Sequence, residues 1–82
     1  MEVRLACLGA FREVGDELSL QVQGETVGAL RAALSAFLAQ QGHAELNAVL
    51  ERSIFAAGDE LLRDVDALPN SQLAILPPVA GG

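Results

Sequence analysis

The sequence has one cysteine, Cys7, and one histidine, His43. A lone cysteine excludes an intramolecular disulfide and a thiolate cage for zinc, since both need partners. Cys7 lies between Ala6 and Leu8 in an apolar segment, where an inert buried thiol is expected rather than a redox or sulfur-relay group. With no second histidine or cysteine, His43 reads as a solvated loop residue and no metal site is expected. Basic residues are also scarce. Five Lys and Arg stand against eleven Asp and Glu, a formal net charge of −6, which argues against nucleic acid or an anionic membrane as partner and favours docking on basic protein surfaces. No apolar run approaches the roughly 20 residues that cross a bilayer, and no basic-then-apolar leader precedes the first strand. The expectation is a soluble, cytoplasmic protein. No histidine pair, Ser/His/Asp set or phosphate-cradling glycine loop is present, so the chain is not expected to be an enzyme by itself. The acids Asp59, Glu60, Asp64 and Asp66 lack calcium-loop spacing and read as a solvated rim.

What is present is a distinctive end. Pro77-Pro78-Val79-Ala80-Gly81-Gly82 closes the sequence. Two prolines fix φ at about −65° and remove two backbone donors, so the segment can neither continue a helix nor pair inside a sheet. Residues 77–82 should leave the domain as an extended, flexible arm, with 1–76 forming the fold. The final glycines have no Cβ and can pass through a channel too narrow for side chains. Their useful group is the α-carboxylate of Gly82, which adenylation by ATP would turn into an electrophile and a sulfur nucleophile could convert to a thiocarboxylate.

At 82 residues the chain makes one small domain, burying only about 60% of the surface of its unfolded chain. Met1–Leu8 reads as a strand with Val3, Leu5 and Cys7 on one face, and Gly9–Asp16 as a connection. Glu17–Gln23 alternates Leu18, Leu20 and Val22 with polar residues, which predicts the second strand of an antiparallel hairpin. Thr26 is the expected N-cap of a helix whose apolar stripe is Val27, Leu30, Leu34, Phe37 and Leu38, with Gly42 as its terminator. Ala48–Leu50 and Ser53–Phe55 read as a third and a brief fourth strand around Glu51-Arg52. Gly58–Asn70 reads as a long connection covering one end of the sheet. Gln72–Leu76 is the last strand, uniformly apolar and therefore expected at a central position with both faces buried.

This order, with its free Gly-Gly end, resembles the ubiquitin-like β-grasp fold: α+β, a mixed sheet of about four to five strands packed on one main helix. Three motifs are closer still. Gly9-Ala10-Phe11-Arg12-Glu13-Val14-Gly15, Glu25-Thr26-Val27-Gly28-Ala29-Leu30-Arg31 and Ile75-Leu76-Pro77-Pro78-Val79-Ala80-Gly81-Gly82 look like the small subunit of molybdopterin synthase, the sulfur carrier of molybdenum-cofactor biosynthesis. The resemblance implies that Gly82 is adenylated by a ubiquitin-activating-like enzyme that uses ATP and is then thiocarboxylated. It implies that the tail enters the large synthase subunit, which holds the catalytic groups, in a complex of two small and two large subunits. There the sulfur passes to a cyclic pterin precursor. Gly81, Ala80, Val79, Pro78 and Pro77 would be the inserted arm, Ile75 and Leu76 would pack on the partner, and Arg12 would face the activating enzyme. No stably bound cofactor is implied. The chain departs from the family in having Ile75-Leu76 where an aromatic pair is usual. The alternatives are a carrier for thiamine-thiazole or another sulfur product, a ubiquitin-like modifier joined to lysines, and a domain with an inert tail.

Overall fold

The computed structural model describes residues 1–78; the Val79, Ala80, Gly81 and Gly82 expectations fall outside the described residues. Strand β1 (Glu2–Cys7) is followed by a 3-10 segment (Gly9–Glu13), strand β2 (Glu17–Gln21), helix α1 (Val27–Gln40), helix α2 (Leu46–Glu51), and strands β3 (Ile54–Ala57), β4 (Glu60–Leu62) and β5 (Leu73–Leu76). The five strands form one mixed sheet in the order β2-β1-β5-β3-β4. The β1–β2 hairpin is antiparallel, with Val3 opposite Leu20 and Leu5 opposite Leu18. β5 sits in the middle, parallel to β1 and antiparallel to β3.

Periodicity explains the layers. Val3, Leu5 and Cys7 of β1, Leu73 and Ile75 of β5 and Phe55 of β3 point to one side of the sheet and are buried there with Val27, Leu30, Leu34 and Leu38 of α1. The expected helix stripe is therefore observed, with Phe37 partly buried against the same core. Thr26 is the N-cap, its Oγ1 accepting from Ala29 N at 3.2 Å. Gly42, at φ 79°, ends the helical region in the conformation that favours glycine.

The remaining amides of the first turn of α1 are met by the β4–β5 connection. Val27 N donates to Asp66 O and Gly28 N to Asp64 O, both at 2.9 Å. Gly28 suits this approach because an added Cβ would lie 3.2 Å from Asp64 O. Asp64 also binds Arg31, whose Nε reaches its carboxylate at 3.1 and 3.2 Å. The same guanidinium donates to Leu50 O, reaches Ser53 O at 3.0 Å, and lies 5.1 Å over the Phe55 ring. One arginine thus ties together α1, the end of α2, β3 and the long connection. Asp59, Glu60 and Asp64 are exposed, as a solvated rim requires, and Asp66 is partly buried; the backbone carbonyls of Asp64 and Asp66 in addition meet the helix start.

Three further expectations are corrected. Ala48–Leu50 is not a strand but part of α2: Leu46 and Leu50 are one helical turn apart and both are buried, at 5% and 2% exposure. The brief fourth strand is the β3 of the sheet. Gly58–Asn70 is not a plain connection, because Gly58-Asp59 forms a two-residue turn, with Gly58 at φ 60°, and Glu60–Leu62 returns along β3. Finally, β5 is central but buried on one face only, since Ala74 and Leu76 remain half-exposed on the side away from the helices.

Candidate functional site

The face of the sheet away from the helices is divided. At the β2 end it is polar, with Arg4 paired to Glu17 at 2.8 Å and Gln72 Nε2 donating to Glu17 Oε2 at 2.7 Å. Toward β4 it is apolar. Ala6, Ala74, Ala56 and Leu61 follow one another across four strands in register, and Leu76 lies opposite Ile54 in the next row. Leu8 extends this surface from the end of β1. Leu8, Ile54 and Leu61 are 41%, 44% and 61% exposed, so large apolar side chains lie open on this face, with Ile54 opposite Leu76 where β5 ends and Leu61 on the edge strand. A rimmed apolar surface of this kind marks an interaction site more often than a bare patch of solvent-facing sheet.

β5 leads straight from this surface into Pro77-Pro78. Pro77 is half-buried and packs against Gly9: a Cβ built at Gly9 would come within 2.5 Å of Pro77 Cγ, and Gly9 has φ 57°. Glycine is required there both for its backbone angle and for the approach of the proline ring. The contact couples the first loop to the root of the tail. Pro78 is exposed.

Arg12 follows in the same loop, on the 3-10 segment anchored by buried Phe11. Its side chain is 67% exposed and holds Asp16 only loosely, with Nε 3.8 Å from Oδ1. The guanidinium is therefore available to a partner near the tail root. Leu76 is likewise placed for contact. Ile75 is not: it has 0% exposure and lies in the core opposite Phe55. The expectation that Ile75 packs on a partner is corrected by strand alternation, which sends neighbouring residues to opposite faces. Nothing local in the sequence marks Ile54, Leu61 and Leu8 as surface candidates, because only the strand pairing places Ile54 opposite Leu76 and Leu61 opposite Ala56.

Cys7 is buried at 3% exposure. Burial pushes its thiol above the ordinary range, and the negative charge of Asp16 adds to this. The folded chain therefore favours the neutral thiol. Its stabilising contribution is complete below the pKa of the unfolded thiol and declines as pH rises from there toward the higher folded value. At pH 8, iodoacetamide should label Cys7 at least tenfold more slowly in the native protein than in denaturant. Equal rates would show that the thiol is open to solvent.

No helix among the described residues is long and apolar enough to cross a membrane. No family model matches the chain, and no curated protein does. Among solved structures the chain is similar to SAMP1 from Haloferax volcanii, with a TM-score of 0.71 and 22% identity over 100% of both chains. A likeness at that identity speaks for architecture. With its helix-covered mixed sheet and central parallel β1–β5 pair, the chain has the ubiquitin-like β-grasp fold.

Proposed function

We propose that the protein is a sulfur carrier, the small subunit of a cytoplasmic molybdopterin synthase, and that it acts as co-substrate rather than catalyst. The observation that carries this reading is the position of β5: the central strand of the sheet runs directly into the Pro77-Pro78 arm beside an open apolar surface. A partner gripping that surface would receive the arm in a defined direction. The carboxylate of Gly82 attacks the α-phosphate of ATP and pyrophosphate leaves. A sulfur nucleophile then attacks the acyl carbon of the adenylate, AMP leaves, and a thiocarboxylate remains. Delivered into the large subunit, that sulfur is donated to the cyclic pterin precursor. The sulfur comes from outside the chain, since Cys7 is buried and neutral.

The Gly81-Gly82 end also allows a second reading, in which Gly82 is joined to a lysine of another protein. The five basic residues of this chain are all arginine, so a modifier of this sequence could not extend lysine-linked chains on itself. Carriers for other sulfur products, thiamine-thiazole among them, share the first two steps and differ in the acceptor.

The test is the intact mass of the chain after incubation with ATP, a ubiquitin-activating-like enzyme and a sulfur donor. Replacement of one oxygen by sulfur, absent when Gly82 is deleted, is the expected result. If loading persists without Gly82, the carrier reading fails. Covalent adducts on partner lysines without a thiocarboxylate would instead favour the modifier.

A further inference from the structure

His43 was expected to stand alone, but folding brings two carboxylates to it. One ligand atom from each of Glu13, His43 and Glu45 lies within 4.8 Å of the others, with His43 Nδ1 3.6 Å from Glu45 Oε1. We infer that Glu13, His43 and Glu45 form a binding site for a divalent transition-metal ion of the zinc type. This goes beyond the sulfur-carrier reading and does not depend on it.

The donors stand on two anchored stretches of backbone, Glu13 on the first loop and His43 and Glu45 on the α1–α2 turn. Glu13 ends the 3-10 segment, where Val14 N donates to Phe11 O at 3.0 Å and Gly15 N to Arg12 O at 3.2 Å. His43 follows the glycine that ends α1. Its N–H donates to Leu38 O at 2.8 Å and its carbonyl accepts from Leu46 N at 2.9 Å. Glu45 directly precedes α2. The cluster is thus a product of tertiary structure, in which the first loop is brought against the α1–α2 turn.

The charge balance also points to a cation. Among the described residues, Arg4, Arg12, Arg31 and Arg63 pair with Glu17, Asp16, Asp64 and Asp66, and no arginine pairs with Glu13 or Glu45. Two carboxylates therefore converge on one imidazole without a guanidinium to offset their repulsion. A divalent ion would neutralise them. The donor set is selective: an imidazole with two carboxylates suits zinc and its first-row neighbours, whereas calcium and magnesium take oxygen ligands. Zinc bonds of about 2.0–2.2 Å place tetrahedral donors roughly 3.4 Å apart, so closing the site needs a shift of about 1 Å in side chains. The glutamates can supply it, since Glu13 is exposed and the Glu45 side chain is 66% exposed. Three protein ligands leave the fourth position to water. The metal would tie the loop that carries Arg12 and Gly9 to the helical layer.

The test is calorimetric titration of the full chain with Zn²⁺ at pH 7.5, with the imidazole of this single histidine followed by NMR. One equivalent should bind with a shift of the His43 ring signals. Glu13→Gln, Glu45→Gln and His43→Ala should each lower affinity by about tenfold or more, a loss typical of a disrupted metal site. Glu60→Gln, on β4, should bind as wild type does. Absence of binding in the wild type, an unmoved His43 signal, or wild-type affinity in Glu13→Gln would each overturn the site. Because both glutamates are exposed and His43 is only partly buried, circular dichroism should show every variant folded.

Discussion

Phe55→Ala is expected to remove a large part of the stability of the fold, while Ile54→Ala, one residue earlier on the same strand, should leave it nearly intact. Phe55 has 0% exposure and faces Ile75 across the central ladder, with Arg31 over its ring. Emptying such a site costs about 3–5 kcal/mol, from lost transfer energy and the cavity left behind. A chain of 82 residues has a total stability of about 4–12 kcal/mol. The midpoint of thermal unfolding should therefore fall by about 12–40 °C, at about 4–8 °C per kcal/mol for a domain of this size. Ile75→Ala should behave in the same way, at about 2–5 kcal/mol. Ile54 is 44% exposed on the opposite face, and its truncation should cost less than about 1 kcal/mol. Thermal and urea unfolding of the three variants decide the matter. An Ile75→Ala protein that melts within a few degrees of wild type would show that Ile75 is not a core residue and would return it to the partner surface.

That pair of neighbours shows where the sequence is readable and where it stops. The β1–β2 hairpin, the stripe of α1, the Thr26 cap, the Gly42 stop and the central last strand were legible because each depends on local periodicity or on one residue's backbone preference. Ala48–Leu50 misled because a short apolar run has no period of its own. Only Leu46, one turn before Leu50, shows the helical spacing, and its weight depends on a core that must already exist. β4 was hidden by its length of 3 residues and by the acids around it. Ile75 and Leu76 are equally apolar, so composition could not assign them to faces; the parity of β5 against β3 does. The cap that Asp64 and Asp66 place on α1, the reach of Arg31, and the meeting of Glu13 with His43 are long-range contacts with no local signature. Gly9 is intermediate. Its role as a turn was visible, but the proline that packs on it lies at the other end of the fold.

The open surface yields the second large effect. If the protein is the proposed sulfur-carrier subunit, Leu61→Asp should weaken its association with the large synthase subunit by a hundredfold or more, with little change in melting temperature. Leu61 is 61% exposed and has few contacts to lose in the free chain, yet it stands at the end of the apolar row that begins at Ala6. Truncating a hot-spot residue costs about 2–4 kcal/mol, or roughly 30–1,000-fold in affinity, and an aspartate buried at the contact adds the desolvation of a charge without a partner. Leu76→Ala tests the same surface closer to the tail and should cost about tenfold or more. Gln21→Asp lies on β2, on the polar part of the sheet, and should change affinity by no more than about twofold. Binding is best measured on chains ending at Pro78, where the arm cannot contribute, alongside the full chain. If the sheet surface supplies the grip, Leu61→Asp weakens both forms by a similar factor. If it weakens neither, the arm alone holds the partner, and the apolar face of β5, β3 and β4 has no part in delivering Gly82.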